Sequence, residues 1–278
     1  MALRLSAHMT VMQNAAQRAA KRLLRDFAEV EQLQVSVKGP GDFVSQADLR
    51  AEASLKEDLN KARPGYAFLM EESGASGSDN WSWRWIVDPL DGTTNFLHGI
   101  PHWCISIGLE RRLADGSSEL AAGVIYAPSV DEMFWAEKGA GAFMNDRRLR
   151  VSARRDPKES VFATGIPFAA VDPRRRLAFA RTLGALMPET AGIRRFGAAA
   201  LDLAWVAAGR YDGFWELGLH PWDLAAGVLM VREAGGYCTD AADGDPRTHG
   251  HVVAANPHLH PWLRDHVASG LAAAAGHT

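Results

Sequence analysis

Residues 85–99 read WIVDPLDGTTNFLHG, an apolar run that ends in two aspartates three positions apart, with a proline between them and a glycine after them. Such a run reads as a buried strand, and buried carboxylates are costly unless a proton, a cation or several donors compensate them. The segment therefore calls for a fold that delivers a strand end into a polar pocket. Three other acids stand at the ends of apolar elements: Asp48, Glu71 and Asp223. Four such separated places suggest one shared site in which oxygen ligands meet a hard divalent cation, the setting that magnesium prefers. Two readings stay open on the residues alone: a magnesium-dependent phosphoryl-transfer or hydrolysis site, or carboxylates used as caps and salt bridges.

The order of elements narrows the architecture. Val11, Ala15, Ala19, Leu23 and Phe27 recur every four positions and predict an amphipathic helix over about 6–30. A glycine-rich loop holding Lys38 and Asp42 follows, and Ser45 with Asp48 resembles a capping box for a second helix carrying Leu49, Leu55 and Leu59. Tyr66 to Met70 reads as a strand, SGASGSDN after it as flexible, and Trp83, Trp85 and Val87 alternate in a strand ending at Asp88. CISIGLE, AAGVIYA and DEMFWAEKG extend this into a meander. Beyond about Val161, strands at ESVFATGIP, RYDGFWELG and HVVAAN intersperse with helices at 174–187, 198–209, 221–236 and in HPWLRDHVASGL. LAAAAGHT reads as a frayed helix end. Alternating layers of sheet and helix follow from this order. The expected organisation is one catalytic unit over 1–278, with an N-terminal subdomain (1–155) holding the metal core and a C-terminal α/β subdomain (156–278).

Composition excludes several alternatives. With 30 basic and 33 acidic side chains the net charge is −3, so no global field recruits nucleic acid or an anionic membrane. The arginine clusters at 174–176 and 194–195 read as solvated faces. Cys104 and Cys238 lie in apolar contexts and read as buried free thiols, which fits a reducing cytosol, and no signal peptide or run of about 18 apolar residues is present. The histidines show no HExxH spacing, no GxSxG marks a serine hydrolase, and no GxGxxG or Walker-type loop appears. His98 and His102 are expected to order a loop or touch substrate rather than bind metal. Trp83 and Trp85 read as core, whereas Trp215 and Trp222 are candidate pocket walls.

WIVDPLDGTTNF (85–96) and PWDLAAGVLMVREAGG (221–236), with DFVSQADLRAE and MEES, together resemble the inositol monophosphatase family of magnesium-dependent, lithium-sensitive phosphatases. The match runs in order over almost the whole chain; Met70 stands where the family usually has glycine. The resemblance implies a five-layered αβαβα sandwich of the sugar-phosphatase type and a homodimer. It implies two or three Mg2+ per active site, bound by Glu71, Asp88, the Leu90 carbonyl, Asp91 and Asp223, with the Thr93 hydroxyl beside the first. A water near Glu71 is then the nucleophile, oriented by Thr93, whose hydroxyl Asp48 receives. The amides of Gly92 and Thr93 are expected to face phosphate, and Lys38 and Asp42 to form a flap.

On the substrate side the resemblance points to Asp91, Gly92, Thr93, Ala199 and Glu216, the last being able to accept hydrogen bonds from polyol hydroxyls. Asp202 and Arg195 are expected in a local ion pair or near the pocket. The expected reaction is magnesium-dependent hydrolysis of inositol monophosphate or a similar small polyol phosphate monoester in the cytoplasm. Relatives hydrolyse histidinol phosphate, fructose bisphosphate or nucleotide phosphates, so pocket detail decides the ester. The alternatives are a histidinol-phosphate phosphatase and a regulatory protein that binds transcription machinery.

Overall fold

A computed structural model describes residues 5–30, 35–39, 42–167 and 172–275, with residues 35–39 and 42–44 described by backbone alone. Helix α1 (Ala7–Ala28) starts where the Ser6 hydroxyl accepts the Met9 amide at 3.1 Å, and it buries Met9, Met12, Ala16, Ala19 and Leu23 along one stripe. Strands β1 (Val35–Gly39) and β2 (Asp42–Ser45) then pair antiparallel. Lys38 and Asp42 thus sit on a hairpin rather than in the expected loop; the residues between the two strands lie outside the described set. Helix α2 (Gln46–Ala62) opens with a reciprocal cap, in which Ser45 Oγ accepts the Ala47 amide and the Asp48 carboxylate accepts the Ser45 amide.

The strands that follow are β3 (Ala67–Met70), β4 (Gly74–Ser76), β5 (Trp83–Asp91), β6 (Cys104–Arg112), β7 (Ser118–Ala127), β8 (Glu132–Glu137), β9 (Gly141–Met144) and β10 (Arg147–Arg148). They form one eight-stranded sheet in the order β10-β9-β8-β7-β6-β5-β3-β4. The glycine- and serine-rich stretch after Glu72, expected to be flexible, pairs instead as edge strand β4, with Phe68 opposite Ser76. Strand β5 is central, parallel to β3 and antiparallel to β6. Both its faces are covered, so Trp85 to Asp91 are all buried and simple alternation gives way to a continuous run. The one-turn helix α3 (Thr93–Leu97) lies between β5 and β6.

Beyond it come β11 (Val161–Thr164), α4 (Pro173–Leu186), β12 (Gly192–Arg194), α5 (Ala199–Ala207), β13 (Gly213–Leu217), α6 (Pro221–Glu233), β14 (Tyr237–Thr239), β15 (His251–Ala255) and α7 (His260–Ala275). The second sheet has the order β12-β11-β13-β15-β14. Three apolar clusters stack the layers: α1 and α2 against one face of the large sheet, α5 and α6 between the sheets, α4 and α7 on the far face of the small sheet. The architecture is the expected αβαβα sandwich. Trp215, read as a candidate pocket wall, is fully buried in the outermost cluster because its side of β13 faces α4 and α7.

Helix α6 approaches the large sheet closely because glycines face it. A methyl group at Gly123 would lie 2.9 Å from Ala226 Cα, and one at Gly108 would lie 2.7 Å from Ala225 Cβ. The Ser106 hydroxyl donates to the Trp222 carbonyl at 3.2 Å, which fixes the start of α6 beside the end of β5.

Candidate active site

Asp88 and Asp91 come from the last turn of the pleat in β5. Pairing with β6 runs regularly from Trp83 to Asp88, slips, and resumes with Asp91 opposite Cys104. Residues three apart on a regular strand face opposite sides; the bulge cancels that parity and lets both acids join one cluster. Asp88 Oδ1 accepts the Leu90 amide at 2.9 Å. Asp91 Oδ2 accepts the Ala200 amide of α5 at 2.8 Å and the Cys104 thiol at 3.6 Å.

Asp223 stands in the first turn of α6, where its Oδ2 accepts the His220 amide at 2.7 Å. Glu71 follows β3, its amide donating to the Val87 carbonyl at 3.2 Å and so tying it to β5. Asp48 enters from α2: Oδ2 accepts the Ser45 amide and hydroxyl, while Oδ1 accepts the Thr93 hydroxyl at 3.0 Å. Thr93 Oγ1 also lies 3.1 Å from the Leu90 carbonyl, so its single proton is shared between two acceptors. Gly92, at φ +90°, makes the turn into α3; a methyl group there would press on the His102 carbonyl at 3.0 Å and Ala198 Cβ at 3.2 Å.

The four acids act on one another electrostatically. Burial raises the Asp88 pKa well above the usual carboxylate value, and Glu71, Asp91 and Asp223 each raise it further. Burial and Asp91 do the same to Asp223, partly opposed by the His220 amide. Asp91 is pushed up to about 6, by burial first and then by Asp202 and Glu71, against the lowering effect of the Ala200 amide. Asp48 is raised by burial, which outweighs its bonds from Ser45 and Thr93. Among the described residues no group of three or more His, Cys, Asp or Glu side chains is arranged so that it could hold a metal ion as it stands. Asp88 shares hydrogen bonds with Glu71 and Asp223. Such carboxylate pairs need a proton between them, and the set fits hard cations by its donor chemistry: buried, oxygen-only and mutually repelling.

Ala199 is buried at the first turn of α5, next to the amide that holds Asp91. Glu216 lies on β13, its pKa raised well above normal by burial and then by Asp202, Asp223 and Asp91, which places it within electrostatic reach of the cluster. The structure thus brings together Asp48, Glu71, Asp88, Leu90, Asp91, Gly92, Thr93, Ala199, Glu216 and Asp223. The backbone of Lys38 and Asp42 belongs to the β1–β2 hairpin, and the side chains of both lie outside the described set.

Asn95 was not legible as a site residue. Asn95 donates to the carbonyls of His102 and Phe196 at 2.8 and 2.6 Å, stapling α3 to the segments before β6 and α5. Asp202 is fully buried, with His102 Nε2 3.7 Å away and the Arg195 charge acting on it as well. His98 orders its loop through a 2.7 Å contact between Nδ1 and the Thr94 carbonyl.

The profile of the Inositol monophosphatase family matches residues 5–271. The chain belongs to the inositol monophosphatase family. It is 54% identical over 252 residues to the inositol-1-monophosphatase of Mesorhizobium japonicum, covering 90% of this chain and 92% of that one. It is 40% identical over 252 residues, again 90% and 92% of the two chains, to the Nus factor SuhB of Escherichia coli K12. The crystal structure of extragenic suppressor protein suhB from Bartonella henselae superposes with a TM-score of 0.88 at 52% identity, covering 94% of this chain and 98% of that one. Within this family the chain is a phosphomonoesterase, and the family is metal-dependent and acts on small phosphorylated substrates. No helix among the described residues is long and apolar enough to cross a membrane.

Proposed function

We propose that the protein hydrolyses inositol monophosphate, or a small polyol phosphate monoester like it, in a magnesium-dependent reaction without a phosphoenzyme. The observation that carries this reading is the buried carboxylate cluster of Asp88, Asp91, Asp223 and Glu71 beside the Thr93–Asp48 hydrogen bond. Glu71, Asp88, the Leu90 carbonyl, Asp91 and Asp223 would hold two or three Mg2+. Such cations supply charge neutralisation for the phosphate ester and for the departing oxygen.

The chain's own residues orient the attack. Thr93 Oγ1 shares its proton between Asp48 Oδ1 and the Leu90 carbonyl, and when it donates to Asp48 its lone pair can accept a proton from the attacking water. As the water oxygen bonds phosphorus, its proton moves to Thr93 Oγ1 and the threonine proton moves to Asp48. The ester P–O bond breaks and the departing alkoxide takes a proton from solvent. Glu216 receives hydroxyls of the polyol, and burial of the Ala199 side of α5 keeps the pocket wall apolar. A homodimer in the cytoplasm, and a flap formed by the Lys38–Asp42 hairpin, belong to the same reading.

The test is a comparison of inositol 1-phosphate, histidinol phosphate, fructose 1,6-bisphosphate and a nucleoside monophosphate during a magnesium titration, with lithium added at the plateau. Inositol 1-phosphate should show the highest kcat/KM, with lithium inhibiting; preference for histidinol phosphate would select that alternative. D223N should keep its fold and lose at least a hundredfold in kcat, so near wild-type turnover at saturating magnesium would refute the ligand assignment. Relatives named Nus factor SuhB support a second reading, contact with transcription machinery. A pull-down with that machinery that survives D91N while catalysis disappears would separate this role from the enzyme.

A further inference from the structure

Glu216 reads polyol hydroxyls only if its carboxylate is held at the right place over the pocket. In the small sheet β11 runs parallel to β13 and ends with Thr164 paired to Trp215, so Gly165 follows β11 where Glu216 follows Trp215 on β13. On the opposite flank Glu216 is paired with Val252 of β15, whose side chain is fully buried. The carboxylate leans over the glycine: a methyl group at Gly165 would lie 1.9 Å from Oε1, 2.0 Å from Cδ and 2.2 Å from Oε2. Those distances are far inside contact, and the three nearest atoms all belong to the end of one flexible side chain. The backbone of Gly165 does not lie in the left-handed region, so conformational freedom is not what requires a glycine there. What requires it is the space above its Cα.

We propose that Gly165 is a specificity-setting position: by lacking a side chain it seats the Glu216 carboxylate, and through it fixes which hydroxyl-bearing esters the pocket accepts. This rests on the reading of Glu216 as the polyol contact. With Val252 closing the other flank, a methyl group at 165 forces the carboxylate away from the β11 side. The fold has little reason to suffer, because the atoms displaced are a carboxylate end rather than backbone or core. Gly165 is a positioning residue, since nothing requires it to touch the substrate itself.

The experiment uses the full-length protein with magnesium and compares wild type, G165A, E216A, E216D and G165A/E216D. Inositol 1-phosphate is set against phenyl phosphate, which has no hydroxyls to read. G165A should raise KM for inositol 1-phosphate about tenfold, the scale of a lost hydrogen bond to a charged group, with kcat changed less than about threefold. Its KM for phenyl phosphate should stay within about twofold of wild type, as should its thermal midpoint within a few degrees. Shortening the acid by one methylene frees the contested space, so the double variant should bind inositol 1-phosphate better than either G165A or E216D. If E216A raises KM for inositol 1-phosphate but G165A does not, the seating role is wrong and the polyol contact stands. If E216A leaves that KM unchanged, the polyol contact itself is wrong. A rise in KM for both esters in G165A, or a double variant no better than the singles, would also overturn the proposal by making the effect general disruption.

Discussion

Asp48 shows how one carboxylate serves two levels of organisation at once. Its Oδ2 caps α2 through the Ser45 amide and hydroxyl, while Oδ1 takes the Thr93 hydroxyl. An asparagine can present an oxygen to either the cap or the threonine but cannot take up a proton as the carboxylate does. D48N is therefore expected to lower kcat by about 10²-fold or more while costing about 1 kcal/mol or less of stability, the scale of a weakened cap. Steady-state kinetics beside a urea titration check both numbers. Loss of activity in proportion to unfolding would remove Asp48 from the chemistry and leave it as a cap. The capping box itself was legible from Ser45 and Asp48 in sequence, because both partners lie within one turn. The Thr93 bond was expected only through the family resemblance, because its partners are 45 positions apart.

At the level of elements, long regular features were readable and short pairings were not. Helices α1, α2, α4, α5, α6 and α7 and strands β5 to β8 lie within a few residues of their expected bounds, because periodicity, caps and glycine stops are local signals. Besides β1 and β2, which the sequence reads as loop, strands β4, β9, β10, β12 and β14 were missed. Each is short, two to four residues, and exists because a neighbouring strand edge offers partners; that information is not in the segment's own sequence. The seating of α6 was hidden for the same reason. Gly123 meets the backbone of Ala226, which cannot swing aside as a long side chain can. G123A should therefore cost about 1–3 kcal/mol and, by lifting the helix that carries Asp223, weaken magnesium binding. Chemical denaturation and calorimetric titration with magnesium test the two effects separately. A destabilised variant with unchanged magnesium affinity would show that the pocket does not depend on how closely α6 sits.

Across the whole molecule, one ion network ties the two sheets together. Glu110 of β6 is buried and takes Arg84 of β5 through Oε2, at 3.0 and 2.6 Å. Its Oε1 takes Arg247, from the segment between β14 and β15, at 2.9 Å, and the Ser118 hydroxyl at 2.5 Å. Burial acts to raise the Glu110 pKa, but the Ser118 bond and the two arginines outweigh it and leave the group below its ordinary value. A carboxyl lowered in the folded state contributes stability above its unfolded value near ~4.3, and that contribution is lost as pH falls through the folded value. E110Q should thus destabilise the protein at neutral pH, by less than the roughly 3 kcal/mol of a fully broken buried pair because both arginines are partly exposed. The gap from wild type should narrow as pH falls below about 4. Thermal melts from pH 7 to 3 would show it; a gap that stays constant across that range would mean packing, not charge, is what the substitution removes. None of these three ionic partners announces the others in sequence, since the bridge exists only once the sheets are stacked.

The slipped pairing at the end of β5 also limits how this segment tolerates changes of length. Deleting one residue between Asp88 and Asp91, Leu90 for example, would restore a regular two-residue repeat. The second aspartate could then stay opposite Cys104, but the amide that Asp88 accepts and the carbonyl beside Thr93 Oγ1, both supplied by Leu90, would be lost from the site. Substitutions there leave the chain's count intact, whereas a frame of one residue more or fewer does not. Among variants of this protein, gaps should be tolerated in the turn at 114–117 long before any is tolerated at 88–93.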